Sequence, residues 1–287
     1  MSVDTHPGPA TLPDPRSFRW PLRRWRDPRL YQIIVLSSLI LYGTFQLGFP
    51  LTLLSAAVIF GSALGTQYLA GRMVGLTRFD PMSPIITGCS LCLLSRSTEL
   101  WGLALVAALA IASKFVLRVD GRHVFNPANV ALVIPALLSS AFWISPGQWG
   151  SDALLAFAFA GGAMLVLFPA ARWDVALSFL GATALIAVGL ALYREDPLSI
   201  PLHQLQSGAL LLFSFFMITD PATTPVSRLH RIIWALAVAA LGAWLVHAEH
   251  IAAGPIIALV VLCPLVPLLN RLHRGQPVFS LSIGAKP

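Results

Sequence analysis

The residues with the clearest chemical character lie in two polar stretches, each of which interrupts an apolar chain beside a proline. The first contains Asn126 and Pro127, and the second runs from Asp220 to Pro225. Asn and Asp cap helix N-termini and proline fits the first helical turn, so capping alone explains Asn126. It explains Asp220 less well, because threonines and a second proline follow it. Where an apolar segment breaks, backbone N–H and C=O groups need protein, water or a ligand, so both stretches are candidate binding sites.

Two hydroxyl-glycine pairs are further candidates, because each begins a short apolar run that contains leucine. Thr87 and Gly88 precede the first run, and Ser207 and Gly208 precede the second. From Ser207 to Ile218 there are about twelve residues, or roughly 18 Å of helix, against a hydrocarbon core of roughly 30 Å. The glycines also have a second interpretation, in which they only allow helices to pack closely.

The predicted binding residues therefore come from four short stretches, and we expect them to bind a cofactor or a small solute. They are Thr87, Gly88, Asn126, Pro127, Ser207, Gly208, Asp220, Thr223 and Thr224. We assign no catalytic residue and no metal ligand. Cys89 and Cys92 lie three residues apart, the spacing of a metal or iron–sulfur half-site. Because Cys263 adds one thiol where a cluster needs two, we interpret all three as small buried residues.

The composition indicates which class of protein must position these residues. The chain has 287 residues, of which 56% are hydrophobic and 11% are charged, and its mean hydropathy is +0.76. Such values exclude an ordinary soluble domain and indicate an integral membrane protein in contact with the lipid bilayer. A net charge of +7 would suggest nucleic acid as the partner of a soluble protein. Here the basic residues lie between apolar runs, so we exclude nucleic acid.

Ten apolar segments divide the chain, and they predict an all-α integral membrane protein with about ten transmembrane segments. The segments are 31–48, 51–70, 83–95, 99–117, 127–144, 152–169, 174–193, 206–218, 229–247 and 251–269. The third and the eighth are short and broken. Around them we predict a basic tail over 1–29, a linker over 146–151 and a second tail over 271–287.

The distribution of lysine and arginine supports this division. If residues 1–29 are cytoplasmic, two of the 19 lysines and arginines, Arg96 and Arg194, lie on the other side, which leaves 17 on the cytoplasmic side. Such a bias is the positive-inside pattern of a multi-pass protein. We therefore expect a bacterial inner membrane protein with both termini in the cytoplasm.

Two sets of five segments, 30–145 and 152–270, match each other. The short segment is third in each set, with 120 residues from Gly88 to Gly208, and the fifth segments contain Pro127 and Pro255, 128 residues apart. Since five is odd, two consecutive sets must lie in opposite orientations, as inverted repeats related by a pseudo-two-fold axis in the membrane plane. Short segments at matching positions of such repeats point to a central binding site.

The order of these features resembles a known family of membrane proteins. The matching stretches are Ser83–Leu94, Gly121–Ala128, Ser207–Pro225 and Pro264–Asn270, within a resemblance that covers roughly residues 30 to 275. This RnfD/NqrB family contains the NqrB protein of the sodium-pumping NADH:quinone oxidoreductase and the RnfD protein of the Rnf ferredoxin:NAD oxidoreductase. Its Phe-Asn-Pro-Ala and Thr-Asp-Pro-x-Thr motifs are specific when they occur together.

This resemblance implies ten transmembrane helices in two inverted repeats, an architecture similar to that of urea and ammonium transporters, and a flavin. In the family, FMN is bound covalently to the threonine of a Ser-Gly-Ala-Thr motif between the halves. The corresponding region here, Ser145–Asp152, contains no threonine, and Gly181-Ala182-Thr183 lies inside an apolar segment. We therefore expect no covalent FMN, which leaves open a noncovalent flavin or a quinone. The shortened chain also resembles membrane proteins associated with enediyne biosynthesis gene clusters.

The functional hypothesis is a membrane subunit linked to electron transport and transmembrane transport, with other redox subunits as partners. Such a subunit would be at most a noncatalytic part of an oxidoreductase. A permease for a small neutral solute is an alternative, because inverted repeats with paired broken segments suit a polar but uncharged path. A membrane scaffold in a biosynthetic pathway, with biosynthetic subunits as partners, is a third hypothesis.

Overall fold

The computed structural model describes residues 28–145 and 173–273. Most of the two predicted tails, the predicted linker 146–151 and the sixth predicted segment, 152–169, lie outside the described residues.

Helices make up most of the described chain. Before residue 145 they are α1 (Pro28–Phe45), α2 (Leu53–Met73), α3 (Met82–Leu94), α4 (Leu100–Val116) and α5 (Pro127–Leu138). After residue 172 they are α6 (Trp173–Arg194), α7 (Ser199–Leu205), α8 (Gly208–Leu212), a π-helix (Phe213–Met217), α9 (Arg228–His247), α10 (Gly254–Leu262) and α11 (Leu265–His273). We call these two parts the first and the second half.

Three of these helices, α2, α6 and α9, are long and apolar enough to cross a membrane. Two bent pairs raise the number to five if each pair is one span. The first pair joins α7 to the helix of Gly208–Met217 at 45°, and the second joins α10 to α11 at 47°. The described chain is thus mostly helical and carries several candidate membrane spans, as expected of a helical membrane protein.

The third predicted segment forms α3, a helix of 13 residues that is buried from Thr87 to Leu94. At about 1.5 Å per residue it is roughly 20 Å long, too short to cross a bilayer alone. The chain then becomes extended as β1 (Ser95–Ser97), which pairs antiparallel with β4 (Phe142–Ile144). A second two-stranded pair, β2 (Arg118–Val119) with β3 (Arg122–His123), closes the loop between α4 and α5.

The fifth predicted segment differs from the structure, because 127–144 is not one continuous element. Helix α5 ends at Leu138, one turn after the internal Pro135, and the chain continues as β4. Proline cannot donate a backbone hydrogen bond and distorts the preceding turn, which favours an early end of the helix. The strands β1 and β4 then satisfy each other's backbone groups beyond the ends of α3 and α5.

Arg96 also differs from its predicted place in an outer loop. It lies buried in β1, and its guanidinium donates to the carbonyls of Cys92 at 2.9 Å and Ser95 at 2.6 Å. These carbonyls belong to the C-terminal end of α3, where the helix dipole favours a cation. The charge of Arg96 therefore stabilises the end of the short helix.

The eighth predicted segment is irregular in a different way. It begins as α8 and continues as the π-helix Phe213–Met217, in which the N–H of Ile218 donates to the carbonyl of Phe213 at 3.0 Å. All five residues of the π-helix are buried. Such wide turns are rare inside helices and are often found at functional sites.

The helices α9 and α10 approach each other closely at two glycines. A Cβ atom on Gly254 would lie 2.7 Å from the carbonyl oxygen of Gly242, and one on Gly242 would lie 3.1 Å from Cα of Pro255. Buried Trp234 adds a hydrogen bond from its indole N–H to the carbonyl of Leu262 at 3.1 Å. Small residues at a helix–helix contact allow this backbone approach inside a membrane.

We predict that Gly254→Ala destabilises the protein by about 1–3 kcal/mol, because the added methyl group meets a backbone oxygen that cannot move away. Gly189→Ala is the matched control, since nothing lies within 4 Å of a Cβ at that position in α6. The control should unfold at the wild-type temperature or slightly above it. The buried thiols of Cys89, Cys92 and Cys263 report unfolding in detergent through a thiol-reactive dye. Equal unfolding temperatures for the two variants would contradict the close-packing interpretation.

Candidate functional site

The loop and helix start from Asp120 to Asn129 connect the first half of the chain to the second. The side chains of His123, Asn126 and Asn129 each reach a group of the second half. This ten-residue stretch contains one of the two polar stretches that the sequence predicts as binding sites. We call it the junction loop.

His123 of the junction loop lies next to Asp220 of the second polar stretch. Its Nε2 atom is 3.2 Å from Oδ2 of Asp220, and the two side chains are 23% and 19% exposed. Both therefore keep access to water while they contact each other. The structure thus brings the two predicted polar stretches together, although 97 residues separate the pair in sequence.

Asn126 has two functions in this arrangement. Its Oδ1 atom accepts a hydrogen bond from the N–H of Asn129 at 3.2 Å, so it caps α5 as the sequence predicts. Its Nδ2 group donates to the carbonyl of Met217, the last residue of the π-helix, at 3.3 Å. The side-chain amide of Asn126 therefore caps the N-terminus of α5 and donates a hydrogen bond to the last carbonyl of the π-helix.

Asn129 is a further site residue, which the sequence prediction missed. It is fully buried, and its Nδ2 group donates to the carbonyl of Ile256 in α10 at 2.8 Å. Its Oδ1 atom is buried without a hydrogen-bond partner among the described residues. The signal in the sequence was a second amide one turn after the cap, inside an apolar segment.

Asp220 organises the loop that follows the π-helix and does not cap a helix. Its Oδ1 atom accepts from the N–H of Ala222 at 2.9 Å, which leaves Oδ2 for His123. Thr223 donates its hydroxyl to the carbonyl of Asp220 at 3.4 Å. The hydroxyl of Thr224 is buried without a partner in the described chain. This loop therefore presents one carboxylate oxygen and one unused hydroxyl near the junction.

A polar cleft of about 250 Å³ opens between the junction loop and the second half. Its lining residues are Val119, Asp120, Arg122, His123, Val124, Ala222, Val266, Pro267 and Asn270. One side is fixed by Arg271, which donates to both carboxylate oxygens of Asp120 at 3.1 and 3.2 Å. The other is fixed by Asn270, whose Oδ1 accepts from the N–H of Val226 at 2.8 Å. His123 lines this cleft and also contacts Asp220, so the carboxylate lies next to the cleft.

The other predicted binding residues of the first half lie within α3. Thr87 donates its hydroxyl to the carbonyl of Ser83 in its own helix at 3.1 Å. Gly88 is buried against α2, where an added Cβ would lie 2.7 Å from the ring of Phe60. These contacts support the packing interpretation of the Thr87-Gly88 pair.

Ser207 and Gly208 lie at the far end of the irregular helix from Asp220. The ten residues of Gly208–Met217 correspond to about 15 Å of helix. Ser207 lines an apolar cleft of about 300 Å³ together with Gln204 and His247. Of the nine predicted residues, the structure therefore brings five to the junction, namely Asn126, Pro127, Asp220, Thr223 and Thr224.

Comparison with known proteins gives two consistent findings. The model of the NQR2, RnfD, RnfE family matches residues 136–278. The RnfD-type proteins of Escherichia coli O7:K1 (strain IAI39 / ExPEC) and Shigella dysenteriae serotype 1, named as parts of an ion-translocating oxidoreductase complex, are each 29% identical to this chain over 202 residues. The resemblance to the RnfD/NqrB family is confirmed. The matched residues are 70% of this chain and 54% of each relative, so the chain spans about half the length of the curated relatives it matches.

The range of the RnfD/NqrB family match includes the π-helix and the loop of Asp220. The junction loop precedes that range, although it contacts residues within it. Together with the apolar helices, the matches support a helical membrane protein similar to RnfD.

We predict that Asn126→Ala lowers the stability of the protein by more than the loss of a helix cap would. Loss of a cap costs about 1 kcal/mol, and a buried carbonyl left without its donor adds roughly 1–3 kcal/mol. Thr52→Ala is the matched control, because Thr52 caps α2 by accepting from the N–H of Ser55 at an exposed position. Thermal unfolding followed through the buried thiols compares the two. Equal losses would show that Asn126 acts as a cap alone.

Proposed function

We propose that this chain is a membrane subunit of a redox-linked transport complex, and that its working site is the junction between the two halves. The observation that carries the proposal is the meeting of two motifs, with His123 3.2 Å from Asp220 and Asn126 3.3 Å from Met217. The relatives in Escherichia coli and Shigella dysenteriae are named as subunits of an ion-translocating oxidoreductase complex. Partners of this chain would accordingly be other redox subunits.

The chemistry of the junction suits a small polar species. Within the described chain the junction presents one carboxylate oxygen of Asp220, the hydroxyl of Thr224 and Oδ1 of Asn129. The cleft beside His123 gives access from water to Asp220. Behind it, the amides of Asn126 and Asn129 bind backbone carbonyls of the second half. A transported ion or solute would pass from the cleft to the carboxylate and then meet these amides.

The architecture we propose has ten spans in two inverted repeats, 30–145 and 152–270, joined by the linker 146–151. It is supported by the pairing of α5 with α10, which contain the matched prolines Pro127 and Pro255 at their first turns. The hydrogen bond from Asn129 to the carbonyl of Ile256 joins the same two helices. Crossing of equivalent helices near a pseudo-two-fold axis is the arrangement expected of inverted repeats.

The surroundings of Thr183 do not favour covalent FMN at that residue. The Gly-Ala-Thr stretch that resembles the flavin motif lies within α6, and the hydroxyl of Thr183 donates to the carbonyl of Phe179 at 2.8 Å. A phosphoester at that hydroxyl would remove this bond inside a helix. The apolar cleft beside Ser207 is the place we propose for a noncovalent flavin or a quinone, because Gln204 and His247 supply polar groups to an otherwise apolar wall.

The topology predicts which loops react with a membrane-impermeant thiol reagent. Single cysteines replace exposed residues in a chain whose native cysteines have been removed. Arg78→Cys and Arg122→Cys should react only after the membrane is permeabilised, because both loops belong to the basic, cytoplasmic end. Glu195→Cys and Glu249→Cys should react in intact cells. Reaction of Arg122→Cys and Glu249→Cys from the same side would contradict the inverted arrangement.

The function is tested with Asp220→Asn, which keeps the shape of the side chain and removes its charge. We expect redox-driven uptake into inside-out vesicles to fall by roughly tenfold or more, the effect of about 1.4 kcal/mol on a barrier. Asp80→Asn is the control, because this carboxylate is exposed and paired with Arg29 at 2.6 Å. Copurification of redox subunits with the tagged chain should be equal in both variants and the wild type.

Other outcomes of this experiment distinguish the remaining hypotheses. If no redox subunit copurifies, but the chain alone carries a neutral solute into proteoliposomes, it is a permease. If neither result is obtained and deletion of the chain abolishes a biosynthetic product, it is a scaffold. Wild-type uptake by Asp220→Asn would exclude the junction as the working site.

A further inference from the structure

A small cleft at the C-terminal end of α2 is lined by several side chains that can donate hydrogen bonds. Gly75 has a φ of +77°, and the N–H of Leu76 donates to the carbonyl of Gly71 at 2.9 Å, so the chain reverses directly after the helix. This turn brings Thr77 and Arg78 back beside Gln67 and Arg72. The cleft measures about 50 Å³, which is room for one small group and far below the several hundred Å³ of a cofactor site. We call it the α2 cleft.

Gln67 lines the buried side of the α2 cleft. Its Oε1 atom lies 3.0 Å from Nζ of Lys114, and Gln67 is only 8% exposed. Because an ammonium group can only donate, the amide oxygen must face Lys114 and the amide N–H groups must point elsewhere. Lys114 is itself fixed by a second hydrogen bond to Oγ of Ser83 at 2.8 Å. The orientation of Gln67 is therefore set by α3 and α4, independently of any ligand.

Two guanidinium groups at the α2 cleft lack a carboxylate partner within residues 28–145 and 173–273. Arg72 lies over the ring of Tyr68, 5.3 Å from its centroid, and Arg78 follows in the turn. The carboxylate of the same loop, Asp80, already binds Arg29 at 2.6 Å and the N–H of Met82 at 3.1 Å. Two cations, an amide and the hydroxyl of Thr77 thus surround a space that suits an anion with several oxygens.

The surroundings of the α2 cleft favour a lipid as the source of this anion. Helix α2 is a candidate membrane span, and its last two turns expose Leu69 by 63% and Met73 by 87%. Tyr68 and Phe79 form an edge-to-face pair with centroids 6.2 Å apart, as aromatic residues do at a membrane interface. An apolar surface therefore continues directly from the charged cleft, as the acyl chains of a phospholipid continue from its phosphate.

We propose that the α2 cleft binds the phosphate of an anionic phospholipid. The phosphate oxygens accept from Arg72, Arg78 and the amide of Gln67, and the acyl chains lie along Leu69 and Met73. The volume of the cleft, about 50 Å³, suits a phosphate group rather than a whole headgroup. This proposal is independent of the transport function, because the cleft lies within the first half and away from the junction.

The test compares Arg72→Gln/Arg78→Gln with the control Arg118→Gln/Arg122→Gln. The control removes the same charge at exposed positions on the same, predicted cytoplasmic, side. Purified protein is titrated with phosphatidylglycerol, and bound lipid is counted by native mass spectrometry. We expect the Kd of the first variant to rise roughly thirtyfold, because it loses the charge-assisted hydrogen bonds that both arginines make to the phosphate. The control should bind within about threefold of the wild type.

Three results would overturn the proposal. One is equal weakening of lipid binding in both double variants, which would show that binding depends only on the overall positive charge of this side of the protein. Another is unchanged binding in Arg72→Gln/Arg78→Gln. The third is thermal stabilisation by inorganic phosphate as large as that by the lipid, which would identify a free anion as the ligand. If the double variant does not fold, Thr77→Glu places a negative charge in the same cleft and should weaken binding in the same assay.

Discussion

The structure depends on one constraint, which is that backbone groups freed by a broken helix must find partners away from water. Where the halves join, two side-chain amides of the first half donate to backbone carbonyls of the second. Asn126 donates to the carbonyl at the end of the π-helix, and Asn129 donates to a carbonyl in the first turn of α10. A buried carbonyl without a donor costs about 1–3 kcal/mol, so the breaks and the junction stabilise each other. The end of the π-helix in the second half therefore depends on a side chain of the first half.

Much of this arrangement could be predicted from local features of the sequence. The short apolar runs correspond to α3 and to α8 with its π-helix, and Asn126 caps α5 as its place before a proline indicates. Capping depends on residues within one turn, so one sequence is sufficient. The pairing of His123 with Asp220 was not predicted, but the stretches of Asn126 and Asp220 were recognised as polar interruptions of apolar segments, where backbone groups need partners.

The parts that could not be predicted depend on contacts between distant residues. The strand Phe142–Ile144 has the composition of an apolar helix end, and it becomes extended because Ser95–Ser97 offers it a partner. Arg96 has the sequence position of a topogenic charge, but the carbonyls at the end of α3 and the ring of Phe49 hold it inside. Thr87 and Gly88 match Ser207 and Gly208 in sequence, but their surroundings differ. Gly88 packs against Phe60, whereas Ser207 borders an open cleft.

Two arginines near the polar cleft are held in ion pairs that also pack the loops around it. Arg271 binds both oxygens of Asp120, and Arg231 binds buried Asp174 at 2.7 Å as well as the carbonyl of Val226. Both pairs are partly or largely withdrawn from water, where removal of one partner is far more costly than at a surface. They hold the loops around the polar cleft, so these arginines also shape the access to Asp220. For a transported species this order matters, since the carboxylate lies at the wet cleft and the neutral amides lie behind it. In the proposed path, passage beyond Asp220 would require the hydrogen bond of Asn126 or of Asn129 to open, and the wide turn of Phe213–Met217 accepts the first of these bonds.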